Sequence, residues 1–199
     1  VQANGLSDER LIKQIKEISQ YNKTNKNDIK IFSGVECDIL KDGSLDYEDS
    51  ILSQLDYCVA SVHSSFSLTE DEMTQRVIKA IESPYVTMIG HLTARLLLLR
   101  KPYDINVSKI IDACAKNDTI IEINANPRRL DMDWRWWKTA KDKGVKCSIN
   151  PDAHKIEHLQ FLHFGVKIAQ KGWLEPSDVV NCLPLDKITK LLKQKSTEQ

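Results

Sequence analysis

Short apolar runs rich in Val, Ile and Thr alternate along this chain with longer stretches whose apolar residues recur every three or four positions. The first pattern fits strands covered on both faces, the second amphipathic helices. Five strands are predicted, over 29–33, 56–62, 85–90, 119–124 and 145–149. Helices are predicted over 8–21, 46–52, 69–82, 106–116, 133–143, 156–171 and 185–195. Leu11, Ile12, Ile15 and Ile18 mark the buried face of the first helix, with Ser7 as its N-cap. Pro84 stops the third helix and Gly144 the fifth. Residues 22–27 read as a polar loop, Gly34 as punctuation after the first strand, and Asp42-Gly43 as a turn. Regular alternation of strand and helix argues for parallel strands with covering helices. Five strands are too few for a closed eight-stranded barrel, so either the sheet is open or part of a barrel is absent. No repeat, low-complexity tract or Gly/Pro/Ser-rich linker divides residues 1–199, which read as a single domain.

Composition adds exclusions. Hydrophobic residues make up 41% and charged residues 28% of the 199, ordinary for a globular domain with a substantial core. A formal net charge of zero gives no global signature for nucleic acid or anionic membrane, although a local basic patch is compatible with it. The longest apolar stretch, 96–99, is far too short to span a bilayer. No signal peptide is visible, and Val1 in place of an initiator Met leaves the upstream sequence open. Cys37, Cys58, Cys114, Cys147 and Cys182 form no C-x-x-C and lie mostly in apolar runs. They read as free thiols of a reducing compartment, so a cytoplasmic location is expected.

The chemistry sits at the predicted strand ends. Glu36, His63, His91, Asp152 and His154 each follow an apolar run, in IKIFSGVE, LDYCVASVH, YVTMIGH and VKCSINPDAH. Open α/β sheets and barrels build their sites at the carboxyl ends of strands, where several converge. A lone histidine there is most often structural, but repetition down one chain favours a shared metal site. Imidazole with carboxylate suits zinc, manganese or iron better than calcium. Asp38 follows Glu36 by two positions, on the same face of a continuing strand, and can orient a ligand.

Several motifs together resemble the PHP (polymerase and histidinol phosphatase) superfamily, in particular the C-terminal PHP domain of bacterial family X DNA polymerases. They are G-V-E-C-D-I-L-x-D-G-S-L-D-Y, A-S-V-H-S, G-H-L-T-A-R-L-L, E-I-N-A-N-P-R-R-L-D, I-N-P-D-A-H and G-W-L-E-P-S-D-V-V-N-C-L-P-L-D, and they span nearly the whole chain. E-I-N-x-N-P-x-R-L-D and the closing motif separate the polymerase branch from stand-alone histidinol phosphatases. The resemblance implies a distorted seven-stranded (β/α) barrel. The family's opening strands, ending in H-x-H and T-D-H, have no counterpart here. The chain is therefore expected to be a domain fragment lacking its first two strands, an incomplete barrel of mainly parallel strands, with Val1–Ser7 as the loop after the second. G-H-L-T-A-R departs from the commoner G-H-P-T-G-R behind His91.

Carried over residue by residue, the resemblance implies up to three divalent metal ions (Mn, Zn or Fe) in the complete domain. Glu36 would bridge two of them, and His63 and His91 would complete one site. Asp152 would bind the second metal and His154 the third, each with ligands this chain lacks. Coordination can lower the pKa of water from 15.7 to about 7, which suits in-line attack on phosphorus. Glu36, Asp152 and His154 are the candidate catalytic residues. The implied substrate is a DNA 3′ end, the implied activity a 3′–5′ exonuclease serving DNA repair, and the implied neighbour a polymerase domain upstream in the parent chain. A histidinol-phosphatase-like phosphomonoesterase and a non-catalytic metal-binding scaffold are the alternatives.

Other residues carry two readings each. Arg128 and Arg129, just beyond a strand end, can grip phosphate or stay solvated or salt-bridged. Arg95, four residues after His91, can contact phosphate or form a structural ion pair. In 134–138, Trp134 and Trp137 share a helical face and read as core, leaving Trp136 as the surface candidate for base stacking. His158 and His163 lie in helical segments and read as structural.

Overall fold

The structure is a computed structural model that describes residues 5–27 and 29–197. Five strands, β1 (Gly34–Asp38), β2 (Tyr57–Ser61), β3 (Met88–Ile89), β4 (Ile120–Asn124) and β5 (Cys147–Asn150), form one sheet in the order β1-β2-β3-β4-β5. Every pairing is parallel. The connecting helices are α1 (Asp8–Thr24), α2 (Asp49–Leu52), α3 (Glu70–Ile81), α4 (Val107–Lys116), α5 (Trp137–Asp142), α6 (Leu162–Lys171) and α7 (Leu185–Thr197). Strands in sequential spatial order fit the expected incomplete α/β barrel. No helix of the described residues is long and apolar enough to cross a membrane.

The two faces of the sheet differ because successive side chains of a strand point opposite ways. Ala60, Ile89, Ile121, Ile123, Cys147 and Ile149 face the helices and join Met73, Val77, Ile110, Ile111 and Trp137 in the main core. Cys37 and Cys58 pack with Leu11, Ile51 and Leu52 in a second cluster, under α1 and α2. The opposite face carries Glu36, Val59, Met88, Glu122, Asn124, Ser148 and Asn150, which line a cleft of about 470 Å³. Its floor at the amino ends of the strands is apolar. There Met88, Ile120 and Val180 pack with Val59, Leu183 and Leu191, and Ile188, Leu191 and Leu192 of α7 close it.

Most predicted elements form, with instructive shifts. Thr69 caps α3 in a full capping box with Glu72. The first strand does not run over 29–33. That segment is extended, but Ile29 is 61% exposed, and the Asn22 side chain bonds both Ile31 N and O, where a neighbouring strand would. The ladder starts instead at Gly34, the presumed punctuation. There the Tyr57 ring lies where a Cβ would project, so only glycine fits. The predicted loop at 22–27 is helical as far as Thr24. Asp46 does not open α2, because its backbone N–H and side chain bond Asp38 at the end of β1. The predicted helices at 133–143 and 156–171 begin as 3₁₀ turns, Trp134–Trp136 and Ile156–Phe161. The loop expected at Val1–Ser7 lies partly outside the described residues.

Candidate metal centre

Glu36, His63 and His91 offer ligand atoms that all lie within 4.8 Å of one another. Glu36 projects from the middle of β1, whereas His63 and His91 each stand two residues past the ends of β2 and β3. Parallel pairing sets Glu36 level with Val59 and Met88, and both histidines follow at the carboxyl ends of β2 and β3, close enough for their rings to meet the carboxylate. The Glu36 carboxylate meets Nε2 of His63 at 3.4 Å and Nε2 of His91 at 3.1 Å. The two imidazoles are edge-on, with centroids 5.1 Å apart. Two imidazole nitrogens and a carboxylate facing one point are a donor set for zinc, manganese or iron. Gly90 leaves space beside them, since a Cβ there would collide with the Ser61 hydroxyl and approach Val59 Cγ1 to 2.9 Å.

The cluster is held from behind. Asp38 bonds Nδ1 of His63, which leaves Nε2 as the ligand atom. Arg76, buried on α3, donates to the carbonyls of Leu40 (2.8 Å), Ser64 (2.9 Å) and Ile39, tying together the loops after β1 and β2. The backbone N–H of His91 donates to Glu122 Oε2 at 2.6 Å, and His91 takes φ +21°, outside the usual range for a side-chain-bearing residue. Such strain persists where surroundings enforce it, and it gathers at functional sites. Although its side chain is 43% exposed, crowding by neighbouring protein atoms pushes the Glu36 carboxyl up, but hydrogen bonds from His63 and His91 outweigh this and hold it well below the usual range. His63 is raised, by its hydrogen bond to Glu36 against burial, with Asp38 adding to the rise. Metal binding would replace the proton these groups share.

Asp152 lines the same cleft from the loop after β5, at φ +50°. Its Oδ2 accepts from Asn124 Nδ2 at 3.1 Å and lies 3.6 Å from Arg129 Nε. Arg129 Nη1 is buried with no hydrogen-bond partner, an open donor beside a carboxylate. Arg128 is exposed. Arg95 pairs with Asp133 at 2.7 Å and donates to the carbonyls of Arg129 and Leu130, so it makes the structural ion pair of its two readings. His154 lies further out, with its side chain 75% exposed and Nδ1 2.9 Å from Asp152 O. His158 Nδ1 accepts from His154 N, while His163 bonds Gln160 O, and neither belongs to the cluster. Trp137 is fully buried and Trp136 is 37% exposed, as the helical spacing predicts, but Trp134, expected in the core beside Trp137, is only half-buried because it lies in the 3₁₀ turn before α5.

Sequence reasoning missed Glu122 and Asn150. Glu122 is buried at the cleft wall, its carboxyl pushed up by burial, and it accepts from His91 N, Asn124 (3.2 Å) and Asn150 (2.9 Å). Through Asn124 this ladder runs on to Asp152. The signal was present, because Glu122 and Asn124 alternate with Ile121 and Ile123 in an otherwise apolar strand.

Over 96% of its length the chain is 42% identical to the DNA polymerase/3′-5′ exonuclease PolX of Bacillus subtilis. The chain is a relative of PolX. It spans 34% of PolX, about a third of that protein. A probable phosphatase of Thermoanaerobacter sp. is 29% identical over 84% of the chain and 69% of its own length. One of Caldanaerobacter subterraneus is 28% identical over 84% of the chain and 67% of its own length. No protein-family model matches. Similarity to both PolX and phosphatases bears out the resemblance to the polymerase and histidinol phosphatase superfamily.

Proposed function

We propose that this chain is the metal-dependent phosphoesterase module of a bacterial family X DNA polymerase, hydrolysing DNA 3′ ends as a 3′–5′ exonuclease in cytoplasmic DNA repair. The observation that carries the reading is the convergence of Glu36, His63 and His91 at one end of a parallel sheet, in a chain 42% identical to PolX. A bound divalent cation (Mn, Zn or Fe) would supply a Lewis acid for phosphate oxygens and an acidified water. Glu36 stays ionised as a ligand, and Asp38 presents His63 with Nε2 free. Arg129 offers its unpartnered Nη1 to a phosphate oxygen, and Arg128 reaches the backbone from the rim. Asp152 on the opposite wall and His154 at its edge would hold further cations. The apolar floor under Met88, Ile120 and Leu191 keeps bulk water out from below.

The test is metal-depleted protein with Mn²⁺ added back, on a 3′-labelled single-stranded oligonucleotide. Stepwise loss of 3′ nucleotides, abolished in His63→Ala, is the expected result. Hydrolysis of histidinol phosphate without action on DNA would replace this reading by the phosphomonoesterase one. Metal binding with neither activity would leave a scaffold.

A further inference from the structure

The loop leaving His91 ends in an apolar tip. Leu96 N donates to Arg100 O and Leu99 N to Leu96 O, both at 2.9 Å, closing a tight turn. Leu98 at its apex takes φ +64° with its side chain fully exposed, and Leu99 is 73% exposed. A left-handed leucine in open solvent meets neither its backbone preference nor its preference for burial. The turn is nonetheless firmly seated. Arg100 donates to Ala94 O at 3.0 and 2.6 Å and lies over the Phe66 ring. Leu97 N donates to Arg128 O at 2.6 Å, and Arg95 grips the carbonyls of Arg129 and Leu130. The tip is thereby fixed against the segment whose Arg129 side chain reaches Asp152 in the cleft.

Apolar side chains on a rigid turn thus stand beside one exposed arginine and one buried, unpartnered arginine nitrogen. A nucleic-acid strand presents the complementary pair, phosphates flanked by flat apolar bases, and leucine is a known wedge against base steps. We propose that Leu98 and Leu99 contact the nucleobases of the strand whose terminal phosphodiester enters the cleft. The tip then holds a DNA end through its bases, without reading sequence, while Arg128 and Arg129 hold its phosphates. This rests on the DNA-end reading above.

Binding can be followed by fluorescence anisotropy in Mn²⁺, using single strands with phosphorothioate 3′-terminal linkages to restrain hydrolysis. One strand carries normal bases and the other is abasic over its last few positions. The wild-type chain should bind the base-bearing strand roughly fivefold more tightly, a modest value for base contacts. The double variant Leu98→Gly, Leu99→Ser should bind both strands with the abasic strand's affinity. Glycine accepts the left-handed backbone, so the fold is retained, which a thermal melt checks. The proposal is overturned if the preference survives in the variant or if both affinities fall together. It is also overturned if the variant alters only self-association, which would make the tip a protein contact. If the wild-type chain binds neither strand, the DNA-end reading itself fails, and that is seen without any variant.

Discussion

The two walls of the cleft are built to different standards. On the wall formed by β1, β2 and β3, three ligand atoms already face one another, and the supporting loops are pinned from behind by partly buried Asp38 and buried Arg76 and Glu122. On the wall beyond β5, Asp152 is held by Asn124 and Arg129, and His154 extends into solvent. The first wall is preorganised and the second is adaptable. A cation should therefore settle first at Glu36, His63 and His91, with the Asp152 side supporting substrate and further ions.

The sharpest way to break this contrast is to remove a ligand from the ordered wall. His91→Ala should abolish metal binding there and lower phosphoesterase activity by about 10²- to 10³-fold, the scale of losing a well-placed electrostatic group. Metal content of the purified variant, with a circular dichroism spectrum to show the fold intact, checks it. Asp38→Asn should retain the site but weaken metal affinity roughly 10- to 100-fold, the usual cost of losing a partner that orients a histidine ligand. Competition with a calibrated chelator measures this, and unchanged affinity would show that Asp38 does not orient His63. On the adaptable wall, Arg129→Ala should raise KM about tenfold, the worth of a charged hydrogen bond to phosphate. It should leave metal affinity alone, so a fall in metal content would contradict the division between the walls.

The smallest effect is electrostatic. Without metal, the raised pKa of His63 contributes stability that is full below its ordinary 6.5 and lost as pH rises through the folded value. The depressed pKa of Glu36 acts in the other direction, present above 4.5 and lost as pH falls through its folded value. The pair therefore stabilises the metal-free fold most between pH 4.5 and 6.5. In thermal melts of metal-free protein, the Tm deficit of His63→Ala should shrink above that window. A deficit that grows with pH would refute the pairing.

The same contrast explains what could be read from the chain. The His63 and His91 positions were legible because each follows a strand whose outward face packs under helices, a pattern carried by Ala60, Val62 and Ile89, whereas Glu36, expected just after a strand, lies in the middle of β1. The register of β1 was not legible. Ile29 and Ile31 look like strand residues, but the Asn22 side chain from α1 occupies the backbone groups a ladder would use, a contact no local pattern encodes. Glu122 escaped notice because a carboxylate inside an apolar run reads as an interruption until its neighbours are placed in space. Arg76 was equally silent, since its partners are carbonyls 12, 36 and 37 residues back along the chain.

Arg76 also bears on the timing of motion. Its guanidinium fastens the turns beyond two strands to a helix of the main core, so neither turn opens unless that helix leaves the sheet. Amide hydrogens around residues 39–40 and 64 should then exchange with solvent only through global unfolding. Those from 152 to 158, anchored chiefly by surface contacts, should exchange early through local opening. Deuterium uptake would thus divide one cleft into a slow half and a fast half.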